Sequence, residues 1–177
     1  MALRKSQNAP LFISQFGNCL NSVECIEEIN SVIDSCETNV CNGWSYMGYK
    51  SFGGLAVGLY GVDGGLEGDK VKALQRPWVK AVQGMLTQTK FKRNLTVFQA
   101  SWIVDTTIQG KTEVYINWET YYKKGAQIQL NIDGQQVYNG FSIDVVLKKN
   151  HILIHITSSA FNGKEAFLLI VPPNYKI

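Results

Sequence analysis

From Leu95 onward the chain is cut at short intervals by turn dipeptides, and this punctuation constrains the fold more than any other feature. Gln109-Gly110, Lys124-Gly125, Asp133-Gly134, Asn139-Gly140, Lys149-Asn150 and Asn162-Gly163 separate the segments LTVFQASWIV, TEVYINWETYY, AQIQLNI, QQVYNGFSIDVVL, HILIHIT and EAFLLIV. Asp-Gly and Asn-Gly are the strongest short hairpin signals, because a type I′ turn needs positive φ at both central residues. Between the turns, β-branched and aromatic residues dominate, and several segments alternate. In AQIQLNI, for example, Ala126, Ile128, Leu130 and Ile132 face one way and the polar residues the other. Alternating strands joined by tight turns give an antiparallel sandwich or barrel of roughly six or seven strands over about residues 95–177.

The fold class expected is α+β and mainly β, with one or two amphipathic helices and a glycine-rich apolar strand ahead of the sheets. A chain of 177 residues, 45% hydrophobic and 18% charged, fits a single domain with a true core. Within it we expect a cysteine-containing helical arm over 1–41, a glycine- and aromatic-rich strand plus a basic helix over 42–93, and the antiparallel region over 94–177. In SVECIEEINSVIDSCE, Val23, Ile26, Ile29 or Asn30, and Ile33 recur at helical spacing, and Ser22 is placed to cap the helix. The same spacing in Val71, Leu74, Trp78, Val82 and Met85 suggests a second helix, starting near Pro77 and running to about Thr87.

The run SFGGLAVGLYGVDGG, Ser51 to Gly65, holds six glycines and no charge before Asp63. As a strand it places Leu55, Val57 and Leu59 on one face and Ala56, Gly58, Tyr60 and Val62 on the other, the pattern of a strand buried on both sides. The alternative is a segment held in reserve that later enters a membrane or a partner chain, since weakly registered strands re-pair easily.

All four cysteines, Cys19, Cys25, Cys36 and Cys41, lie in the first quarter, at spacings that match no common zinc site. Two disulfides stapling the arm are one reading and four reduced thiols the other. Cys25 and Cys36 share a helix face but stand about 16 Å apart along the axis, so within an intact helix they cannot pair with each other. Oxidised cysteines would favour a secreted or extracellular setting, although the apolar patch Leu11–Phe16 is interrupted by Ser14 and Gln15 and makes a poor signal peptide.

No catalytic residues, metal or cofactor are assigned. In HILIH, His151 and His155 share a strand face with Leu153 and stand about 13 Å apart, too far to hold one ion, while Ile152, Ile154 and Ile156 face the core. GWSYMG lacks the second glycine of a nucleophile elbow, and no phosphate or dinucleotide loop occurs. A thiol–imidazole pair of Cys41 with either histidine would be the route to a hydrolase.

Two surfaces are candidates for binding. Trp118, Tyr121, Tyr122, Lys123 and Lys124 suit stacking on a sugar or resting at a lipid headgroup. The basic segment 70–93 has seven positive charges and no acid. In it Trp78, Lys80, Lys90, Lys92 and Arg93 suit an anion or membrane contact, with nucleic acid disfavoured. In architecture alone this plan is similar to small membrane-binding toxins and lectins. The function expected is therefore a non-enzymatic β-sandwich binder of a glycan or lipid headgroup, possible partners being a membrane or further copies of itself. The alternatives are a subunit of a homo-oligomeric capsid, tube or crystal, and a Cys/His hydrolase.

Overall fold

The computed structural model describes residues 10–53, 55 and 57–176. Gly54 and Ala56 of the glycine-rich run, residues 1–9 and Ile177 lie outside the described residues. The fold is α+β and mainly β, in two compact units, Met1–Gln75 and Arg76–Ile177.

The first unit is built on a parallel pair. Strands β1 (Phe12–Gly17) and β2 (Gly43–Met47) run in the same direction, joined by helix α1 (Val23–Thr38). Parallel strands cannot be closed by a tight turn, so the helix serves as the crossover. Ser22 caps α1, its hydroxyl accepting from the Cys25 amide at 3.2 Å. Cys25, Ile29, Ile33 and Cys36 recur on one face and are buried, packed with Ala73 and the partly buried Phe16, Trp44 and Tyr46. Disulfides Cys19–Cys25 and Cys36–Cys41 tie each end of α1 to its flanking loop. Two disulfides remove four hydrogens, so the intact mass without reductant should fall short of the reduced mass by that amount. Cys19→Ser and Cys41→Ser should each cost about 2 kcal/mol, read by chemical denaturation, given the short loops closed.

The arm is not wholly helical: residues expected in it form β1. The signal was hidden because its partner lies far along the chain, where the Asn42 amide donates to the Leu11 carbonyl at 2.7 Å. In its described residues the glycine-rich run is likewise not a two-sided buried strand. It folds into a loop held by the Tyr60 amide on the Tyr49 carbonyl at 3.1 Å and the Ser51 amide on the Tyr60 carbonyl at 2.9 Å. Val57 is buried but Leu55 and Val62 are exposed, because the loop turns back on itself too soon for alternation to hold. Gly58 is needed at the closest approach, where a Cβ would stand 2.5 Å from the carbonyl carbon of Lys50. Helix α2 (Gly68–Leu74) follows and buries Lys70 completely. The Lys70 ammonium donates to the carbonyls of Cys19 at 2.8 Å and Gly58 at 3.3 Å, while desolvation pulls its pKa down against the opposing charge of Glu67.

The second unit is a sandwich of two antiparallel sheets. One has the order β3 (Trp78–Ala81), β6 (Thr112–Tyr115), β10 (His151–Ile156), β9 (Phe141–Val146). The other has the order β4 (Gly84–Lys92), β5 (Val97–Val104), β11 (Glu165–Val171), β7 (Gln127–Ile132), β8 (Gln135–Gln136). Their inner faces share one core, in which Val114, Ile152, Ile154 and Ile156 meet Phe98, Trp102, Leu130, Leu168 and Ile170. β10 alternates as HILIH implied, isoleucines inward and histidines outward.

The basic helix expected over 77–87 is instead β3 and β4. Gly84 at φ +138° breaks any helix there, and pairing with β6 and β5 overrides the three-and-four spacing. The end of TEVYINWETYY also departs from a strand. Asn117 accepts from the Thr120 amide at 2.9 Å and starts the single helical turn α3 (Trp118–Tyr121).

Candidate functional site

Antiparallel pairing of β3, β6 and β10 sets Trp78 opposite Tyr115, and Tyr115 opposite His151. All three fall on the outward face, because Val79, Val114 and Ile152 alternate with them into the core. The Trp78 and Tyr115 rings lie 6.5 Å apart between centroids and 40° from coplanar, and Trp78 is 43% exposed. Beside them, Glu113 Oε1 accepts from Lys80 Nζ at 2.5 Å and from His151 Nδ1 at 2.8 Å. Lys80 Nζ also stands 3.5 Å from His151 Nε2. Further along the face, Lys111 pairs with Asp144 at 2.8 Å.

The hydrogen bond from Lys80 holds the Glu113 carboxyl below the usual carboxylate range, against some desolvation and with help from the charges of Lys80, His151 and Lys149. A carboxyl more acidic in the folded than in the unfolded state stabilises in full above the usual carboxylate range, and this is lost as pH falls through the depressed value. Glu113→Gln should therefore flatten the acid limb of the stability–pH curve, by less than about 1 kcal/mol for a pair this open to solvent. Parallel thermal melts of wild type and variant at acidic and neutral pH check this.

The aromatic group expected at the surface goes elsewhere. Tyr122 is 2% exposed, its hydroxyl 3.5 Å from the Ile170 carbonyl and its ring edge-on to Trp118 at 6.1 Å, so it cannot meet a ligand. Tyr121 and Trp118 are partly buried against the core, Tyr121 with its ring 4.9 Å from Phe91. Lys123 and Lys124 are exposed in the turn that follows. The basic segment is divided as well: Trp78 and Lys80 belong to one sheet, Lys90 and Lys92 to the other, and exposed Arg93 follows β4. Glu113, Tyr115 and His151 were missed, since alternation shows that they face outward but not that they sit side by side.

Residues 76–165, half of the chain, match the glycoside hydrolase family 5 C-terminal domain. The chain belongs to this family. Among solved structures it is similar to endo-glycoceramidase II from Rhodococcus sp. in complex with a five-membered iminocyclitol, at 18% identity and TM-score 0.72, over 97% of this chain and 35% of that one. The same enzyme in complex with ganglioside GM3 matches at 19% identity and TM-score 0.69, over 93% and 32%. Sterylglucosidase 1 from Cryptococcus neoformans with tris matches at 12% identity and TM-score 0.70, over 98% and 32%. At such identities the likeness shows the fold, and the chain spans about a third of the length of these structures. No curated protein sequence matches the chain.

The family assignment overturns the expectation of a non-enzymatic binder of the toxin or lectin kind, and with it the capsid-like alternative, because the match is to a glycoside hydrolase domain. The Cys/His hydrolase fails on separate grounds: Cys41 is held in a disulfide and offers no thiol. Among the described residues no helix is long and apolar enough to cross a membrane.

Proposed function

We propose that this chain supplies the sandwich domain, and the strand–helix–strand segment preceding it, of a glycosidase that cleaves a sugar–lipid conjugate. One observation carries the reading. The parallel β1–α1–β2 segment and the antiparallel sandwich occur in one chain, and both fall within the 97% that matches an endo-glycoceramidase.

Parallel strands belong inside larger sheets covered on both faces, and among the described residues β1 and β2 make a sheet of two. Phe12, Leu20, Val23, Tyr49, Phe52 and Leu66 of the same unit are exposed, apolar surface of the kind that further strands and helices would cover. Neither β1 nor β2 carries an aspartate or glutamate. The two carboxylates that glycoside hydrolysis employs would then come from other strands of the enzyme. The two disulfides support an extracellular or secretory setting, and a glycolipid substrate would bring the protein to a lipid surface.

The test is hydrolytic. Protein immunopurified from its native source, with its intact mass recorded, is incubated with lactosylceramide and with a steryl glucoside in detergent. Release of lactose or glucose is expected. Intact protein that releases neither sugar would falsify the proposal.

A further inference from the structure

We infer that the outward face of the β3–β6–β10 sheet is a binding subsite for a neutral pyranose ring, stacked on Trp78 and hydrogen-bonded by Glu113 and Lys80. This subsite lies wholly within the sandwich and stands apart from the proposed hydrolysis.

Three features select this ligand chemistry. The first is a flat apolar platform: Trp78, half open to solvent, with Tyr115 inclined beside it, gives the C–H face of a sugar ring an aromatic surface to cover. The second is a set of fixed polar groups at the platform's edge. Among the described residues both contacts to Glu113 use Oε1, which leaves Oε2 to accept from a sugar hydroxyl, while the Lys80 ammonium can donate to another. The Glu113 carboxylate is held in place from two sides, by Lys80 and by His151, so little side-chain freedom remains to be lost on binding. The third is charge. Lys80 is matched by Glu113 and Lys111 by Asp144, so both lysines that pair on this face are neutralised by a carboxylate, and Lys149, whose charge also reaches Glu113, is a positive charge that neither pair neutralises. Aromatic surface with convergent polar groups, its lysine–carboxylate pairs already made within the protein, is the chemistry of an uncharged polyol ring.

The test follows the Trp78 indole N–H by two-dimensional NMR on the full chain. The methyl β-glycosides of glucose, galactose, lactose and cellobiose are each added to about 50 mM, the range suited to millimolar dissociation constants. At least one should give a saturable shift at Trp78. Trp78→Ala should weaken that ligand's binding by about tenfold or more, Trp78→Tyr should restore part of it, and Glu113→Gln should weaken it by about threefold to tenfold. Thermal unfolding of Trp78→Ala is recorded alongside, and a folded variant is expected because the ring is exposed. The inference is overturned if none of the four sugars gives a saturable shift, if binding survives Trp78→Ala undiminished, or if this face responds only to phosphatidylserine vesicles.

Discussion

Gly84→Ala is expected to destabilise the sandwich by about 3 kcal/mol or more, lowering its melting temperature by ~10 °C, or to prevent its folding. Gly84 opens β4 at φ +138°, a backbone conformation that residues with a Cβ rarely enter. Space is the larger problem. A Cβ built there would stand 1.8 Å from the carbonyl oxygen of Ile103 and 2.9 Å from its carbonyl carbon. Those are backbone atoms of β5, paired on one side with β4 and on the other with β11, so no flexible side chain can yield. Relief requires moving the strand edge, and that breaks ladder hydrogen bonds.

Gly134→Ala is the control. This glycine also has positive φ, at +78°, in the Asp133-Gly134 turn, but beyond its own chain neighbours no atom lies within 4 Å of its would-be Cβ. It should cost only about 1 kcal/mol of backbone strain. Melting curves of the two variants separate conformation from collision. Equal shifts would mean that the close approach at Gly84 plays no part.

The two glycines also mark what could be read from the chain. Gly134 announces itself, because Asp-Gly between alternating strands is a hairpin signal, and the turn adopts positive φ at both residues as that signal requires. In HILIHI, likewise, side-chain parity alone decides that Ile152, Ile154 and Ile156 enter the core. Gly84 gave no such warning. It sits in a stretch whose apolar residues mimic helical spacing, and its requirement comes from β5, which only the folded chain brings near.

The candidate site was half legible for a related reason. Trp78 and Lys80 stood out by composition, but Glu113 and His151 join them through cross-strand register, which strand parity does not fix. TEVYINWETYY reads as a strand to its end, and that extended reading is what puts Trp118 and Tyr122 in the wrong place. Asn117 ends the extended backbone, and one helical turn later Tyr122 is in the core.

The second large effect is expected at Gln83, where the chain passes from β3 in one sheet to β4 in the other. Its side chain is 1% exposed yet fully engaged. Nε2 donates to the carbonyls of Ile108 at 3.1 Å and Ile156 at 3.0 Å, and Oε1 accepts from the Ile156 amide at 2.8 Å. The Gln83 amide donates to Thr112 Oγ1 at 2.9 Å, and its carbonyl accepts from the Asp105 amide at 3.1 Å. The side-chain amide thus does for the end of β10 what another strand would do, satisfying both the donor and the acceptor of Ile156.

Gln83→Leu keeps nearly the same volume and leaves the backbone bonds of residue 83 in place, but strips the side-chain partners from one amide and two carbonyls. Each buried backbone group left unpaired costs about 1–3 kcal/mol, so the variant should lose about 3–5 kcal/mol, since some of these groups will reach water as the edge relaxes. Hydrogen exchange gives the local reading: the Ile156 amide should lose its protection before the amides at the centre of β10. If Gln83→Leu melts within a degree or two of the wild type with the Ile156 amide still protected, the carbonyl–amide clasp is not what closes that end of the sandwich.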